Sequence, residues 1–170
     1  MHDGHLAFAA TAIEAGLQKV MFLVEPRPRR KQAVRALEHR IAMVQLAIAD
    51  EPSFGTIKLE HARFTVHETL PVLQARFAGF QLVFLFGDDV IQHIADWPHV
   101  DALVSGAELL IASRHSDEKN LLQTFTTLEQ TRNLSFRRSF VHPNQQQMTS
   151  SRIRLGLKQR EPVGGVPQPV

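Results

Sequence analysis

Two histidines, His2 and His5, stand three residues apart at the start of the chain, with Asp3 and Gly4 between them. Residues at that spacing share one face of a helix. If a helix begins near Gly4, His5 falls in its first turn and His2 just outside it. A helix N-terminus offers unpaired N–H groups and the positive end of a dipole, so it favours an anion. Gly4 lets the backbone approach closely, and imidazole N–H groups can hold phosphate oxygens without a covalent bond. The same pair also suits a metal ion, although no third ligand lies nearby in sequence. A third reading is simply two exposed histidines at a chain end.

A second group with chemistry lies at the far end, in "MTSSRIR", where Thr149, Ser150 and Ser151 are followed by Arg152 and Arg154. Hydroxyls at the first turn of a helix are most often caps. A row of them with Arg154 one turn on is also what a triphosphate needs. Hydroxyls and N–H groups meet the terminal phosphate oxygens, and the guanidinium neutralises charge. Alone, the motif is ambiguous between these two roles.

Positioning such groups requires a scaffold, and strand-like and helical stretches alternate along the chain. "HLAFAATAIEAGL" reads as a helix ending at Gly16, and "KVMFLV" as a buried strand. "RALEHRIAMVQLAIAD" sets Leu37, Ile41, Val44 and Ile48 on one helical face. "FGTIKLE" reads as a strand and "TVHETLPVLQARF" as a short helix that must accommodate Pro71. "FQLVFLFG" has the run expected of a parallel strand covered on both faces. A turn at "DD", a short helix to Trp97 and a strand in "AELLIASR" follow. A polar helix within residues 116–133, a strand in "LSFRRSFV" and a short helix in "TSSRIRLGL" complete the series. The alternation predicts an α/β fold, a Rossmann-like parallel sheet flanked by helices.

The 170 residues fit a single domain spanning residues 1–170. A hydrophobic fraction of 44% and a charged fraction of 21% are ordinary for a globular protein. No apolar run approaches the ~18 residues of a membrane span, so no membrane partner is expected. Cysteine is absent, which removes thiolate nucleophiles, disulfides and cysteine metal sites, and suits a cytoplasmic location. Net charge is only +2, yet the basic residues cluster in "RPRRK", "SFRRSF" and "SSRIRLGLK". These clusters are either solvated surface or contacts for anions. Nucleic acid is a poor partner, because there is no tyrosine and a single tryptophan to stack on bases.

The two end motifs, taken in order, resemble the paired signatures of the nucleotidyltransferase superfamily, HxGH near the start and an ISSTxxR-like segment near the end. "LFGDDVIQHIADW" is similar to the GxD…W segment of bacterial nicotinate-nucleotide adenylyltransferases, with Gly87, Asp89 and Trp97 at the matching places. "EHRIAMVQLAIAD", the "ETL" of residues 68–70, "LLIASR" ending at Arg114, and "GGVPQPV" are also similar to segments of that family. The resemblance covers nearly the whole chain in one order.

It implies adenylyl transfer from ATP to nicotinate mononucleotide, with Mg²⁺ and with pyrophosphate as leaving group, as a step of NAD biosynthesis. His2, His5 and Arg154 would be catalytic. ATP would be held by His2, His5, Gly87, Asp89, Arg114, Thr149, Ser150, Ser151 and Arg154. Lys31, Thr65, Thr69 and Trp97 would meet the pyridine mononucleotide, Trp97 by stacking on the ring. No protein-bound metal site is expected, and a homo-oligomer is. Two rivals share part of the signature: a phosphopantetheine adenylyltransferase, and a nucleotide-binding remnant without turnover.

The chain also departs from the family pattern. "RPRRK" replaces the usual "PPHK", keeping Pro28 and Lys31, and Phe64-Thr65-Val66 replaces "SYT". The family's opening strand and glycine-rich loop have no counterpart before Met1. The chain is therefore expected to lack that strand and to be truncated at both ends.

Overall fold

A computed structural model describes residues 1–28, 34–113 and 118–143. The described residues divide into two compact units, residues 1–28 and 34–63 with 143, and residues 64–113 with 118–142.

In the first unit, α1 (Asp3–Glu14) precedes β1 (Val20–Val24), and α2 (Leu37–Ala47) leads to β2 (Phe54–Lys58). The end of α1 follows from Gly16, whose φ of +101° is open to glycine at little cost. It lets the N–H of Leu17 reach the carbonyl of Ala12 at 3.1 Å and that of Gly16 reach Ile13 at 2.9 Å. This is the Schellman arrangement, which satisfies carbonyls that the helix end leaves without partners. Strands β1 and β2 pair in parallel, from Val20 opposite Phe54 to Val24 opposite Lys58. The predicted stripe on α2 is the packed one: Val44 and Ile48 are buried with Val24, and Leu37 and Ile41 cover them. Phe22 and Phe54 meet edge to face at 5.8 Å across the strand pair.

In the second unit, α3 (Val66–Arg76), β3 (Val83–Gly87), α4 (Asp88–Ile94), α5 (Val100–Gly106), β4 (Glu108–Ala112), α6 (Glu118–Arg132) and β5 (Arg138–Val141) follow in order. The three strands pair in parallel in the order β3-β4-β5. Expectation and structure differ over which strand is covered. Every residue of β3 stays partly exposed, whereas four of the five residues of β4 are buried. Among the described residues β3 pairs on one side only, and β4, held between two neighbours, takes the central place. Its Leu109 and Ile111 join Ile91, Ile94, Leu103 and Phe125 in the core.

Two local expectations need correction. No separate turn stands at "DD", because α4 starts directly at Asp88. Carboxylates in a first turn face the positive end of the helix dipole and favour that start. Helix α5 was not anticipated at all, since seven residues are too few for a periodic pattern to stand out. α3 and α5 run alongside each other. A Cβ on Gly106 would lie 2.6 Å from Gln74 Nε2 and 3.4 Å from Leu70, and His67 meets His99 at the opposite helix ends.

Candidate active site

His2 is the N-cap of α1, with extended backbone (φ −148°, ψ 165°), and the helix begins at Asp3, one residue before the Gly4 start considered from the sequence. The N–H of His5 donates to the His2 carbonyl at 2.8 Å, closing the first turn. The two imidazoles therefore lie together, ring centroids 3.8 Å apart and planes inclined by 42°. They differ in surroundings: His2 is 3% exposed, while His5 faces solvent. Gly4 is buried beneath them. The arrangement presents one fixed and one accessible imidazole at the positive end of a twelve-residue helix. Donors placed there can hold an anion as charge develops on it.

In the second unit, Gly87 ends β3 and caps α4 with extended backbone. The carboxyl end of a parallel strand is where α/β folds bind ligands. The sequence singled out Asp89, which is exposed there. Its neighbour Asp88 is the buried carboxylate, 3% exposed. Both belong to one "GDD" stretch, and only the local helix start distinguishes them.

Trp97 is half-buried beside two phenylalanines that sequence reasoning did not single out. Phe86 meets it edge-on at 5.6 Å and Phe64 lies 6.2 Å away, tilted by 52°. These rings fix the indole plane. Phe64 immediately precedes Thr65, so the segments carrying Thr65 and Trp97 are joined by aromatic contact.

Both candidate threonines work in the cap of α3. The Thr65 hydroxyl accepts from the Glu68 N–H at 3.2 Å and donates to Glu68 Oε2 at 2.9 Å. Thr69 Oγ1 accepts the Thr65 N–H at 3.2 Å, and Thr69 is 2% exposed. This variant of the capping box satisfies two donors at the helix start. Pro71, further along α3, removes the bond that would have reached the His67 carbonyl.

One basic cluster is explained by packing. Arg138 Nη1 lies 2.6 Å from Glu129 Oε1, and its guanidinium stands 4.4 Å over the Phe125 ring. Glu129 Oε1 also accepts the Phe136 N–H at 2.9 Å. Burial pushes the Glu129 carboxyl up, but the Phe136 N–H and the bond and charge of Arg138 outweigh it, and the net pKa is lowered. Arg137 is exposed and lies 3.7 Å from Glu108. Lys31, Arg114, Thr149, Ser150, Ser151 and Arg154 lie outside the described residues.

Residues 1–155 match the model of the cytidylyltransferase-like family. The chain belongs to that family. This cytidylyltransferase-like chain is 36% identical over 121 residues to a probable nicotinate-nucleotide adenylyltransferase of Symbiobacterium thermophilum, covering 67% of this chain and 58% of that one. It is 32% identical over 110 residues to the nicotinate-nucleotide adenylyltransferase of Bacillus subtilis, covering 61% and 58%. The chain thus spans 58% of the length of each of these relatives. Among solved structures it is similar to Plasmodium falciparum nicotinic acid mononucleotide adenylyltransferase complexed with NaAD, with a TM-score of 0.74 and 14% identity. That match covers 95% of this chain and 80% of the other, and is a likeness of fold. No helix among the described residues is long and apolar enough to cross a membrane.

Proposed function

We propose that this cytidylyltransferase-like chain transfers the adenylyl group of ATP to nicotinate mononucleotide, releasing pyrophosphate, in NAD biosynthesis. The observation that carries the reading is the His2–His5 pair at the start of α1, rings 3.8 Å apart. The names of the relatives at 36% and 32% identity support the choice of substrates.

In this reading the 5′-phosphate of the mononucleotide attacks the α-phosphorus of ATP in line, and the bond to the β-phosphate oxygen breaks. No side chain forms a bond to phosphorus, so the absence of cysteine is no handicap. The chain contributes position and electrostatics. His2, held by burial, orients the phosphate; His5, on the solvent side, donates to oxygens on which charge accumulates. Arg154, with Thr149, Ser150 and Ser151, neutralises the leaving pyrophosphate, and Lys31 and Arg114 complete the anion contacts. Asp89 and Gly87 meet the nucleoside at the β3 end. Trp97, fixed by Phe64 and Phe86, offers its face to the pyridine. Mg²⁺ enters with ATP.

Pyrophosphate release, measured with ATP, Mg²⁺ and each acceptor in turn, tests the proposal. Release should require nicotinate mononucleotide, and His5→Ala should lower it by ~10²–10³. Release with phosphopantetheine alone, or ATP binding without turnover on either acceptor, overturns it. A His5→Ala rate above about a tenth of wild type removes His5 from the mechanism.

A further inference from the structure

A second histidine pair lies outside every role assigned so far. His67, in the first turn of α3, and His99, the N-cap of α5, are 32 positions apart in sequence. Their ring centroids are 5.0 Å apart, with planes inclined by 26°. Both side chains are exposed. His99 is one of two described non-glycine residues with positive φ, at 61°. Left-handed backbone is uncommon in non-glycine residues, although asparagine, aspartate and histidine enter it more often than the rest. Here it turns the chain from Pro98 into α5 and brings the His99 ring beside His67.

The spacing has a chemical meaning. Metal–nitrogen bonds of about 2.0–2.1 Å place the centroids of two imidazoles on adjacent positions of one ion about 4.5–5.2 Å apart. The 5.0 Å of His67 and His99 lies within that range. The 3.8 Å of His2 and His5 does not. Solvent exposure leaves the His67 and His99 rings free to turn their nitrogens to a common point without disturbing the core. The positive ends of α3 and α5 oppose a cation there only weakly, because the position is exposed to solvent. The first turns also carry Glu68 and Asp101, whose charge has the opposite effect. Imidazole nitrogens select late first-row ions over Mg²⁺ or Ca²⁺.

We propose that His67 and His99 form a two-imidazole site for a late first-row divalent cation, of the Ni²⁺ or Zn²⁺ type, that staples α3 to α5. No third His, Asp or Glu joins them among the described residues, so the other coordination positions belong to water or to an external ligand. The site needs no part of the adenylyl-transfer reading and stands or falls separately from it.

The molecule carries its own reporter, because Trp97 is the sole tryptophan and lies two residues from His99. Ni²⁺ quenches indole emission at short range, whereas Zn²⁺ does not. Titration of the whole chain with Ni²⁺ should quench Trp97 saturably, with one ion bound, and Zn²⁺ should restore the emission. His67→Gln and His99→Asn should each raise the half-saturating concentration at least about tenfold, since even indirect disturbance of a metal ligand costs that much. Asparagine tolerates the left-handed backbone at residue 99, so that variant retains the fold. His39→Gln, an exposed histidine of α2, should leave the curve unchanged. In parallel, Zn²⁺ should raise the unfolding midpoint of wild type and not that of the double variant. Non-saturating quenching in wild type, or a wild-type curve in the double variant, overturns the proposal.

Discussion

Replacing Glu129 tests whether α6 and β5 are held together by one carboxylate. Its Oε1 accepts from both Arg138 and the Phe136 N–H, at 2.6 Å and 2.9 Å, and Oε2 accepts from Arg138 at 3.3 Å. The side chains of Arg138 and Glu129 are 16% and 24% exposed, so the pair is mostly, not wholly, removed from water. Breaking a fully buried pair by deleting one partner costs about 3–5 kcal/mol, and partial exposure lowers that. Glu129→Ala should therefore cost about 2–3 kcal/mol, the Phe136 hydrogen bond included. Glu129→Gln, which retains an acceptor for Phe136, should cost about half as much. Urea unfolding reads this as a midpoint lowered by about 1 M for Glu129→Ala, given m values of about 1–3 kcal/mol/M.

The pH dependence has a definite sign. The folded pKa lies below the ordinary glutamate value of 4.5. The charged carboxylate's contribution is therefore fully present above that value, and is lost as pH falls through the folded pKa. The difference between wild type and Glu129→Gln should stay level from neutral pH to about 5 and shrink below it. A variant as stable as wild type at pH 7, or a difference that grows on acidification, refutes the reasoning.

Two further outcomes follow from packing and capping. Phe125→Ala should destabilise by about 3–5 kcal/mol in the same urea assay. The ring is fully buried, with Phe136 and Phe140 edge-on at 5.2 Å and 6.1 Å. Thr65→Ala should cost about 1 kcal/mol by loss of the α3 cap, while Thr65→Ser, which retains the hydroxyl, should cost much less.

Several elements were legible in the sequence because local chemistry and tertiary packing agree on them. The α2 stripe of Leu37, Ile41, Val44 and Ile48 packs as its spacing demands. The start of α1 at Asp3 leaves His2 and His5 where a helix N-terminus puts them. What escaped depends on partners distant in sequence. Among the described residues, burial of β4 rather than β3 follows from which strand has two neighbours, and composition does not encode that. Arg137 and Arg138 look alike in "SFRRSF", but Arg137 stands exposed just before β5, whereas Arg138, the first residue of β5, lies over Phe125 and pairs with Glu129. The His67–His99 pair depends on a left-handed residue after Pro98 that no periodicity announces. In the candidate site, Trp97 and Gly87 were singled out only by resemblance to a family motif. Phe64 and Phe86, which hold the indole, were not, because isolated phenylalanines look the same wherever they pack.

The cap of α3 couples two properties usually treated apart. Thr65 and Thr69 spend their hydroxyls on the helix start, and Phe64, one residue earlier, rests against Trp97. A change at Thr65 is thus transmitted along a single peptide unit to the ring that steadies the indole. Sequence drift at this cap would be filtered twice, once by folding and once by the orientation of an aromatic surface. Variation should accordingly be tolerated more readily at exposed Val72, on the same helix, than at Thr65.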